Sequence, residues 1–243
     1  IDAALTDGAD MLITMSTPTL QAAAQKVKNI PVVFTYVASA AASGVARTRE
    51  DHTPNITGVD MLAAYPEMLA AIRQMMPSAR RLGTLFVPSE VNMVVNKDGL
   101  SRQAAQAGFE LVTVPVSTAT EVPDAALALM SRKIDALCQI TGNLTAASWG
   151  GIAPIARKAR VPAFTFQRSQ ADGAVVVMAR DFHDAGKAAA GIAARIMHGE
   201  DPARIPILDF TKIRMVVNLD AARAVGLRIP PPLIARADEV IGK

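Results

Sequence analysis

The sequence is poor in the residue types that build cross-linked, metal-bound and nucleic-acid-binding proteins. Its 243 residues include a single cysteine, Cys138, which excludes an internal disulfide and a cysteine-built metal site. The 25 Lys and Arg residues exceed the 22 Asp and Glu residues by only three, and the basic residues form no block of five or six along the sequence. Nucleic-acid binding usually requires such a cluster, so we predict no nucleic-acid partner. No apolar run reaches the ~18 residues that a membrane-spanning helix needs.

Aromatic residues are also scarce, at 4%, although 51% of the residues are hydrophobic. This hydrophobic content is ample for a packed core and argues against disorder. Aliphatic side chains must therefore fill most of the core. Cys138 lies in the apolar run 136–140 and is predicted to act as a small buried hydrophobic residue. The length of the chain suits two lobes better than one.

Short apolar strands alternate with amphipathic helices along the whole chain. Strands are predicted at 10–15, 30–36, 55–60, 81–87, 110–116, 136–141, 162–166 and 174–178, and residues 205–218 are predicted to be extended. The first predicted helix begins at Ser16–Pro18 and runs through 21–27, and the others are predicted at 67–76, 94–107, 122–132, 145–159, 184–198, 220–225 and 232–241. This alternation predicts an α/β protein whose parallel sheets carry helices on both faces. The pattern alone leaves open whether there is one open sheet or two smaller ones.

Several short motifs occur in an informative order. They are Ala9–Ile13 with Ser16–Pro18, Ile30–Phe34, Asn55–Val59, Leu82–Pro88, Val161–Phe164, Gly199–Pro202 with Ile205–Pro206, and Val217–Asn218 with Gly226–Leu227. In this order and spacing, the chain resembles the substrate-binding proteins of ABC importers of the tryptophan/tyrosine type. The resemblance covers essentially the whole chain, whereas each motif alone is weak.

The resemblance implies a type I periplasmic-binding-protein fold, in which two α/β lobes are joined by three crossovers and a small ligand lies between them. The first lobe would hold residues 1–59 and 174–212, and the second 60–173 and 213–243. Members of the family usually begin with a further strand, helix and strand, so we expect the first lobe to be incomplete here. If those elements are absent from the molecule, we expect this piece to bind its ligand with low affinity. They also tend to carry Asp-Pro where this chain has Val37–Ala41, so a carboxylate that could bind a ligand amine is missing there.

Ligands of open parallel sheets bind beyond the carboxyl ends of the strands, and two candidate positions follow the first strand. Ser16 and Thr17 offer hydroxyl groups and free backbone N–H groups at a helix N-terminus, which suits a carboxylate. The alternative is that Thr17 only caps its helix.

Three further candidates end later strands. Tyr36 and Phe166 are either aromatic walls or core residues, and Asp60 either accepts from a ligand ammonium or is a solvated hinge carboxylate.

Glu90, Asn92 and Asn143 follow two other strands and complete the predicted ligand-binding set. An amide both donates and accepts hydrogen bonds, which suits a zwitterionic ligand. Capping of the following helices is the competing interpretation for all three residues.

Enzyme activity is not indicated. The three histidines, His52, His183 and His198, are far apart in sequence, and none has the spacing of a metal site. The sequence also lacks a nucleophile elbow and a phosphate-binding loop. We therefore predict no catalytic residue, no metal and no cofactor.

The predicted function is that of a solute receptor of an ABC importer, which binds an amino acid or related carboxylate and delivers it to a membrane permease. The location would be periplasmic or otherwise extracytoplasmic, with lipid anchoring through an absent N-terminus left open. The alternative is a ligand-sensing domain of a receptor kinase or transcriptional repressor, because both reuse this fold.

Overall fold

A computed structural model describes residues 1–242 of the chain. The strands are β1 Leu12–Met15, β2 Val32–Val37, β3 Ile56–Asp60, β4 Arg81–Phe86, β5 Glu110–Pro115, β6 Ala136–Gln139, β7 Ala163–Thr165, β8 Val176–Arg180, β9 Leu208–Asp209, β10 Ile213–Asn218 and β11 Glu239–Ile241. The helices are α1 Asp2–Thr6, α2 Thr17–Lys26, α3 Tyr65–Met75, α4 Val91–Gln106, α5 Val122–Ser131, α6 Asn143–Ala147, α7 Trp149–Lys158, α8 Phe182–Met197, α9 Leu219–Ala224 and α10 Pro231–Ala235. Three short 3₁₀ turns lie at Ala119–Glu121, Arg168–Gln170 and Pro202–Arg204. The predicted α/β class is confirmed.

The described chain divides into two compact units. Unit 1 holds Ile1–Leu62 with Asp181–Lys212, and unit 2 holds Ala63–Arg180 with residues 213–242. Residues 174–180 thus belong to unit 2, whereas the sequence prediction placed them in the first lobe. The reason is strand pairing, because β8 lies between β7 and β10 in the sheet of unit 2.

Unit 1 is built on a four-stranded parallel sheet in the order β1-β2-β3-β9. Side chains of β2 alternate between two apolar clusters: Val32 and Phe34 pack with Leu20 of α2, whereas Val33 packs with residues of α8. Because successive side chains of a strand point to opposite faces, α2 and α8 cover opposite faces of this sheet. β1 is an edge strand, and its Met15 is exposed.

Unit 2 is built on a seven-stranded sheet in the order β11-β10-β8-β7-β6-β4-β5. All neighbouring strands are parallel except β8 and β10, which are antiparallel. One large apolar cluster joins this sheet to its helices. Cys138 of β6 is fully buried in that cluster, as its apolar surroundings in the sequence predict, and burial raises the pKa of its thiol to about 12.

Two predicted helices differ from the structure. The predicted helix at 232–241 ends at Ala235, and Glu239–Ile241 forms β11 beside β10, so strand pairing overrides the local pattern. The predicted helix at 145–159 is interrupted at Ser148, and the indole N–H of Trp149 donates to the Asp172 carbonyl (2.8 Å) in the core. Among residues 1–242, every helix is too short or too polar to cross a bilayer.

Candidate ligand-binding site

Three of the predicted site residues lie together in unit 2. Glu90 is the N-cap residue of α4, and its Oε2 accepts hydrogen bonds from Asn92 Nδ2 (3.2 Å) and from the backbone N–H of Asn143 (3.3 Å). The side-chain Nδ2 of Asn143 lies at the limit of hydrogen-bonding distance from the same oxygen, at 3.5 Å. One carboxylate and two amides therefore form a polar cluster, which we call the Glu90 cluster.

The Glu90 cluster forms because β4 and β6 are parallel neighbours, so the segments that follow their carboxyl ends meet at one edge of the sheet. Beyond their short backbone ladder, the Gln139 side chain joins the two strands by accepting from Leu85 N (3.1 Å) and donating to Leu85 O (3.0 Å). Gly142 precedes Asn143, and a Cβ at this position would lie 2.2 Å from Met93 Sδ. A larger residue at Gly142 would therefore force the Met93 side chain of α4 to move.

Several buried polar atoms near the carboxyl edge of this sheet lack hydrogen-bond partners among the described residues. Asn92 Oδ1 is one, and the hydroxyl of Thr165, the last residue of β7, is another. Both side-chain amide atoms of Gln170 also lack partners, although Gln170 is fully buried. Buried polar groups are nearly always hydrogen-bonded in folded proteins, so these atoms are candidates for ligand or water contact.

Sequence reasoning missed Thr165 and Gln170. The segment 168–172 is polar in sequence, yet Gln170 and Ala171 are buried while Arg168, Ser169 and Asp172 are exposed. The turn is held by specific bonds, including one donated by Asn218 Nδ2 to the Ala171 carbonyl (2.9 Å). Thr165 could have been identified in the sequence as a candidate from its position near the end of a predicted strand.

Phe166 is placed in the core of unit 2. Its ring packs edge-to-face on Tyr65, with centroids 5.1 Å apart, and 2% of the residue is exposed. The Tyr65 hydroxyl donates to Asn96 Oδ1 (2.9 Å), which lies in α4. These contacts give Phe166 a packing role. Ligand contact by Phe166 stays a prediction.

In unit 1, Ser16 and Thr17 stand at the junction of β1 and α2, as predicted. Ser16 adopts a positive φ of 77°, which is uncommon for a residue with a Cβ, and its backbone N–H donates to Thr35 O (3.1 Å). Neither side chain makes a capping bond within residues 1–242, and the buried Thr17 hydroxyl has no partner there. The capping alternative for Thr17 is therefore not supported by a hydrogen bond, and ligand contact stays a prediction.

Tyr36 lies near the carboxyl end of β2, where the pairing with β3 shifts register between Phe34 and Val37. It also has a positive φ, at 61°, and its ring packs edge-to-face on Phe182 with centroids 4.4 Å apart. A bulky residue in the left-handed region is strained, and such strain concentrates at functional sites. Residues with a positive φ and a side chain thus lie at the carboxyl ends of both β1 and β2.

Asp60 ends β3, and its Oδ1 accepts a hydrogen bond from the backbone N–H of Ala40 (2.8 Å). Burial raises the pKa of this carboxyl to about 6, and the negative charge of Asp209 acts in the same direction. The Ala40 hydrogen bond and the Arg49 charge oppose the rise. Asp60 is thus partly buried and hydrogen-bonded, and whether it contacts a ligand stays a prediction.

Comparisons with known proteins identify relatives with a similar sequence and fold. A tyrosine-binding protein from Clostridioides difficile (strain R20291) is 26% identical over 225 residues, which are 92% of this chain and 65% of that protein. The L-Trp complex of an ABC domain from Streptococcus pneumonia superposes with a TM-score of 0.92 at 22% identity, covering 98% of this chain and 80% of the other. The ligand-free, open structure of a substrate-binding protein with adhesive properties from Clostridium difficile has a TM-score of 0.74 at 27% identity. The match covers 99% of this chain and 81% of the other.

The chain therefore spans 65% of the length of the curated relative that it matches. The family described as ABC transporter substrate binding protein matches residues 2–241, which is nearly the whole chain. Because the members of this family bind substrates rather than convert them, the predicted non-enzymatic role is confirmed. On the strength of this match, the chain belongs to the ABC transporter substrate-binding protein family.

Proposed function

We propose that this chain is the solute-binding part of an ABC importer and that its ligand is an amino acid or a closely related carboxylate. The Glu90 cluster carries the proposal, because it places one carboxylate and two amides at the carboxyl ends of β4 and β6. The names of the relatives support the choice of ligand, since one binds tyrosine and another was solved with L-Trp. The family match favours this function over the sensing alternative.

In the proposal, unit 2 binds the amine of the ligand. The Glu90 carboxylate accepts from the ligand ammonium, and charge-assisted hydrogen bonds of this kind are stronger than neutral ones. The Asn92 and Asn143 amides hold the carboxylate in place. This assignment supplies a carboxylate for the amine, although the Asp-Pro expected after β2 is absent.

Unit 1 binds the carboxylate of the same ligand in this proposal. The ten-residue helix α2 begins at Thr17, and the free N–H groups and dipole of a helix N-terminus favour an anion. The unpartnered Thr17 hydroxyl supplies a further donor. The ligand would lie in the cleft between two hinged lobes that the family resemblance implies, and closure of the lobes would bury it.

The loaded protein would deliver its ligand to a membrane permease, and the proposed location is extracytoplasmic, as for other members of the family. Lipid anchoring would hold the receptor near that permease. Specificity would come from hydrogen bonds that are desolvated on closure.

Isothermal titration calorimetry tests the proposed ligand class. L-tyrosine and L-tryptophan are titrated into the purified chain, followed by tyramine, which lacks the carboxylate, and 3-(4-hydroxyphenyl)propionate, which lacks the amine. We expect at least one amino acid to bind with a stoichiometry of one, and both analogues to bind at least ten-fold more weakly. Absence of heat with every member of a panel of amino acids and related organic acids, from protein whose circular dichroism shows a folded state, would contradict the proposal.

A further inference from the structure

Gln170 has a buried side chain whose polar atoms are left without internal partners. None of the residue is exposed, and neither Oε1 nor Nε2 makes a hydrogen bond within residues 1–242. An amide buried in this way destabilises a protein, because its bonds to water are lost and not replaced. An apolar side chain of similar size would avoid that cost, so the amide needs an explanation outside ordinary packing.

The backbone around Gln170 is firmly held, which argues against an accidental placement. Its N–H donates to Gln167 O (3.0 Å), and Asn218 Nδ2 donates to the carbonyl of the next residue, Ala171 (2.9 Å). Arg168 in the same turn is paired with Glu239 of β11 through its guanidinium (2.5 Å). These contacts therefore fix the backbone position from which the Gln170 side chain extends.

Gln170 also follows the strand next to the Glu90 cluster. The turn begins after β7, and β7 pairs directly with β6, whose carboxyl end leads to Asn143. Thr165 ends β7, is fully buried, and has a hydroxyl without a partner among the described residues. The strands β4, β6 and β7 are neighbours in the sheet, so the Glu90 cluster, the Thr165 hydroxyl and the turn that carries Gln170 all follow or end strands at the same edge.

The chemistry of this set specifies the kind of group it would bind. Glu90 is its one charged member, and Thr165 and Gln170 are neutral groups that both donate and accept. The nearby cation, Arg168, is paired with Glu239. A group that donates hydrogen bonds and carries positive charge, such as the ammonium of an amino acid, complements this set, whereas a lone anion does not.

We infer that Gln170, with Thr165, is a specificity-determining residue that hydrogen-bonds the polar end of an amino-acid ligand. This inference rests on the proposed function and deepens it, because it adds two residues of the turn after β7 to the binding site. The orphaned amide then lowers the stability of the ligand-free protein and contributes to affinity when the ligand is present. Removing the amide should therefore raise the stability of the ligand-free protein and weaken its binding of the ligand.

The test compares Gln170→Met with Gln139→Met. Both replacements remove a buried amide and keep a side chain of similar length, but Gln139 is satisfied by three hydrogen bonds to Leu85 and Ile140. The melting temperature of each ligand-free variant and its Kd for L-tyrosine and L-tryptophan are measured. We expect Q170M to melt at or above the wild-type temperature and to bind at least ten-fold more weakly, and Q139M to melt lower. Thr165→Val should weaken binding several-fold.

The outcomes separate this inference from the proposed function. A wild type that binds amino acids, with Q170M and T165V binding as tightly, would overturn the inference and leave the proposed function standing. A Q170M variant that melts well below the wild type, as Q139M should, would assign Gln170 a structural role bridged by water and overturn the inference. A wild type that binds no amino acid would contradict the proposed function and this inference together.

Discussion

At the scale of single residues, the proposed binding chemistry depends on how Glu90 is held. Its Oε2 accepts from Asn92 and from Asn143, so one carboxylate oxygen is committed to the protein. These bonds reduce the freedom of the side chain and aim the carboxylate before a ligand arrives. Such preorganisation improves affinity because less side-chain entropy is lost on binding.

Glu90→Gln should weaken binding of ligands that carry an amine. The substitution keeps the shape of the side chain and removes the negative charge, so we expect at least a ten-fold higher Kd for the amino acid that the wild type binds. A ligand analogue without the amine should be affected much less. Glu67→Gln, on the exposed surface of α3, is the control for net charge. Equal losses of affinity in both variants would show that the charge of Glu90 acts only at long range.

Asp60 should make the stability of the chain dependent on pH. Its carboxyl pKa is about 6 in the folded protein, above the ordinary value of 3.8, mainly because of burial. A raised pKa means that the folded state binds the proton more tightly than the unfolded state does. The contribution of Asp60 to the free energy of unfolding is therefore complete below pH 4 and is lost as the pH rises through 6. Asp60→Asn should therefore stabilise the chain at pH 8, by about 1–3 kcal/mol, and have little effect at pH 4.

Urea unfolding of wild type and D60N at both pH values checks this expectation. Asn keeps an oxygen that can accept from Ala40, so the local hydrogen bond is preserved. A D60N variant that is less stable at pH 8 than the wild type would contradict the expectation. Asp209 and Arg49, which also affect the pKa of Asp60, are paired at 2.6 Å, and the substitution changes neither residue.

Local sequence pattern predicted some of these residues and could not predict others. Glu90 and Asn143 were identifiable because each follows an apolar strand. Gln170 was not, since a polar turn looks the same in sequence whether its backbone folds outward or is held against Asn218. The pKa of Asp60 also depends on burial, which its neighbours in sequence do not reveal.

At the scale of secondary-structure elements, the sheet of unit 1 depends on a close approach between β2 and β3. Gly58 pairs with Phe34, and a Cβ at Gly58 would lie 2.2 Å from the Phe34 carbonyl oxygen. That oxygen belongs to the backbone and cannot move away as a flexible side chain could. The two strands therefore tolerate only glycine at this position.

Gly58→Ala should destabilise the chain strongly, by at least about 2 kcal/mol, because the clash separates two central strands. Gly191→Ala is the matched control. Gly191 lies on the exposed side of α8 with open space around its Cβ position, so alanine should stabilise that helix by about 0.5–1 kcal/mol. Guanidinium unfolding of both variants measures the difference. A G58A protein as stable as the wild type would show that the strands separate at little cost.

The order of strands and helices was largely predictable, because apolar strands and amphipathic helices alternate clearly. The errors have a common cause. Glu239–Ile241 is a strand because it pairs with β10, a partner distant in sequence, and 174–180 belongs to unit 2 through pairing with β7 and β10. The sequence pattern of a strand does not reveal which distant segment the strand pairs with.

At the scale of the whole molecule, the division into two units was suggested by the family resemblance and not by periodicity. Hydrophobic patterning predicted parallel sheets, but it could not assign strands to one sheet or two. The order of short motifs pointed to the family, and the family match over residues 2–241 confirms that resemblance. The eight predicted site residues divide equally, with Ser16, Thr17, Tyr36 and Asp60 in unit 1 and Glu90, Asn92, Asn143 and Phe166 in unit 2.

Ligand binding should raise the thermal stability of the chain. A ligand that binds only the folded state stabilises it by about 2.7 kcal/mol at a concentration of one hundred times its Kd. We expect the amino acid that binds in calorimetry to raise the melting temperature by a few degrees, in proportion to the logarithm of its concentration. An unchanged melting temperature at saturating ligand would contradict specific binding to the folded chain.

The central claim is that the chain holds an amino acid without changing it. Equilibrium dialysis with ¹⁴C-labelled L-tyrosine and L-tryptophan, followed by chromatography of the released label, tests both parts of that claim at once. The account predicts saturable binding of one molecule per chain and quantitative recovery of the unchanged amino acid. Label that fails to saturate, or that returns as a different compound, would contradict it.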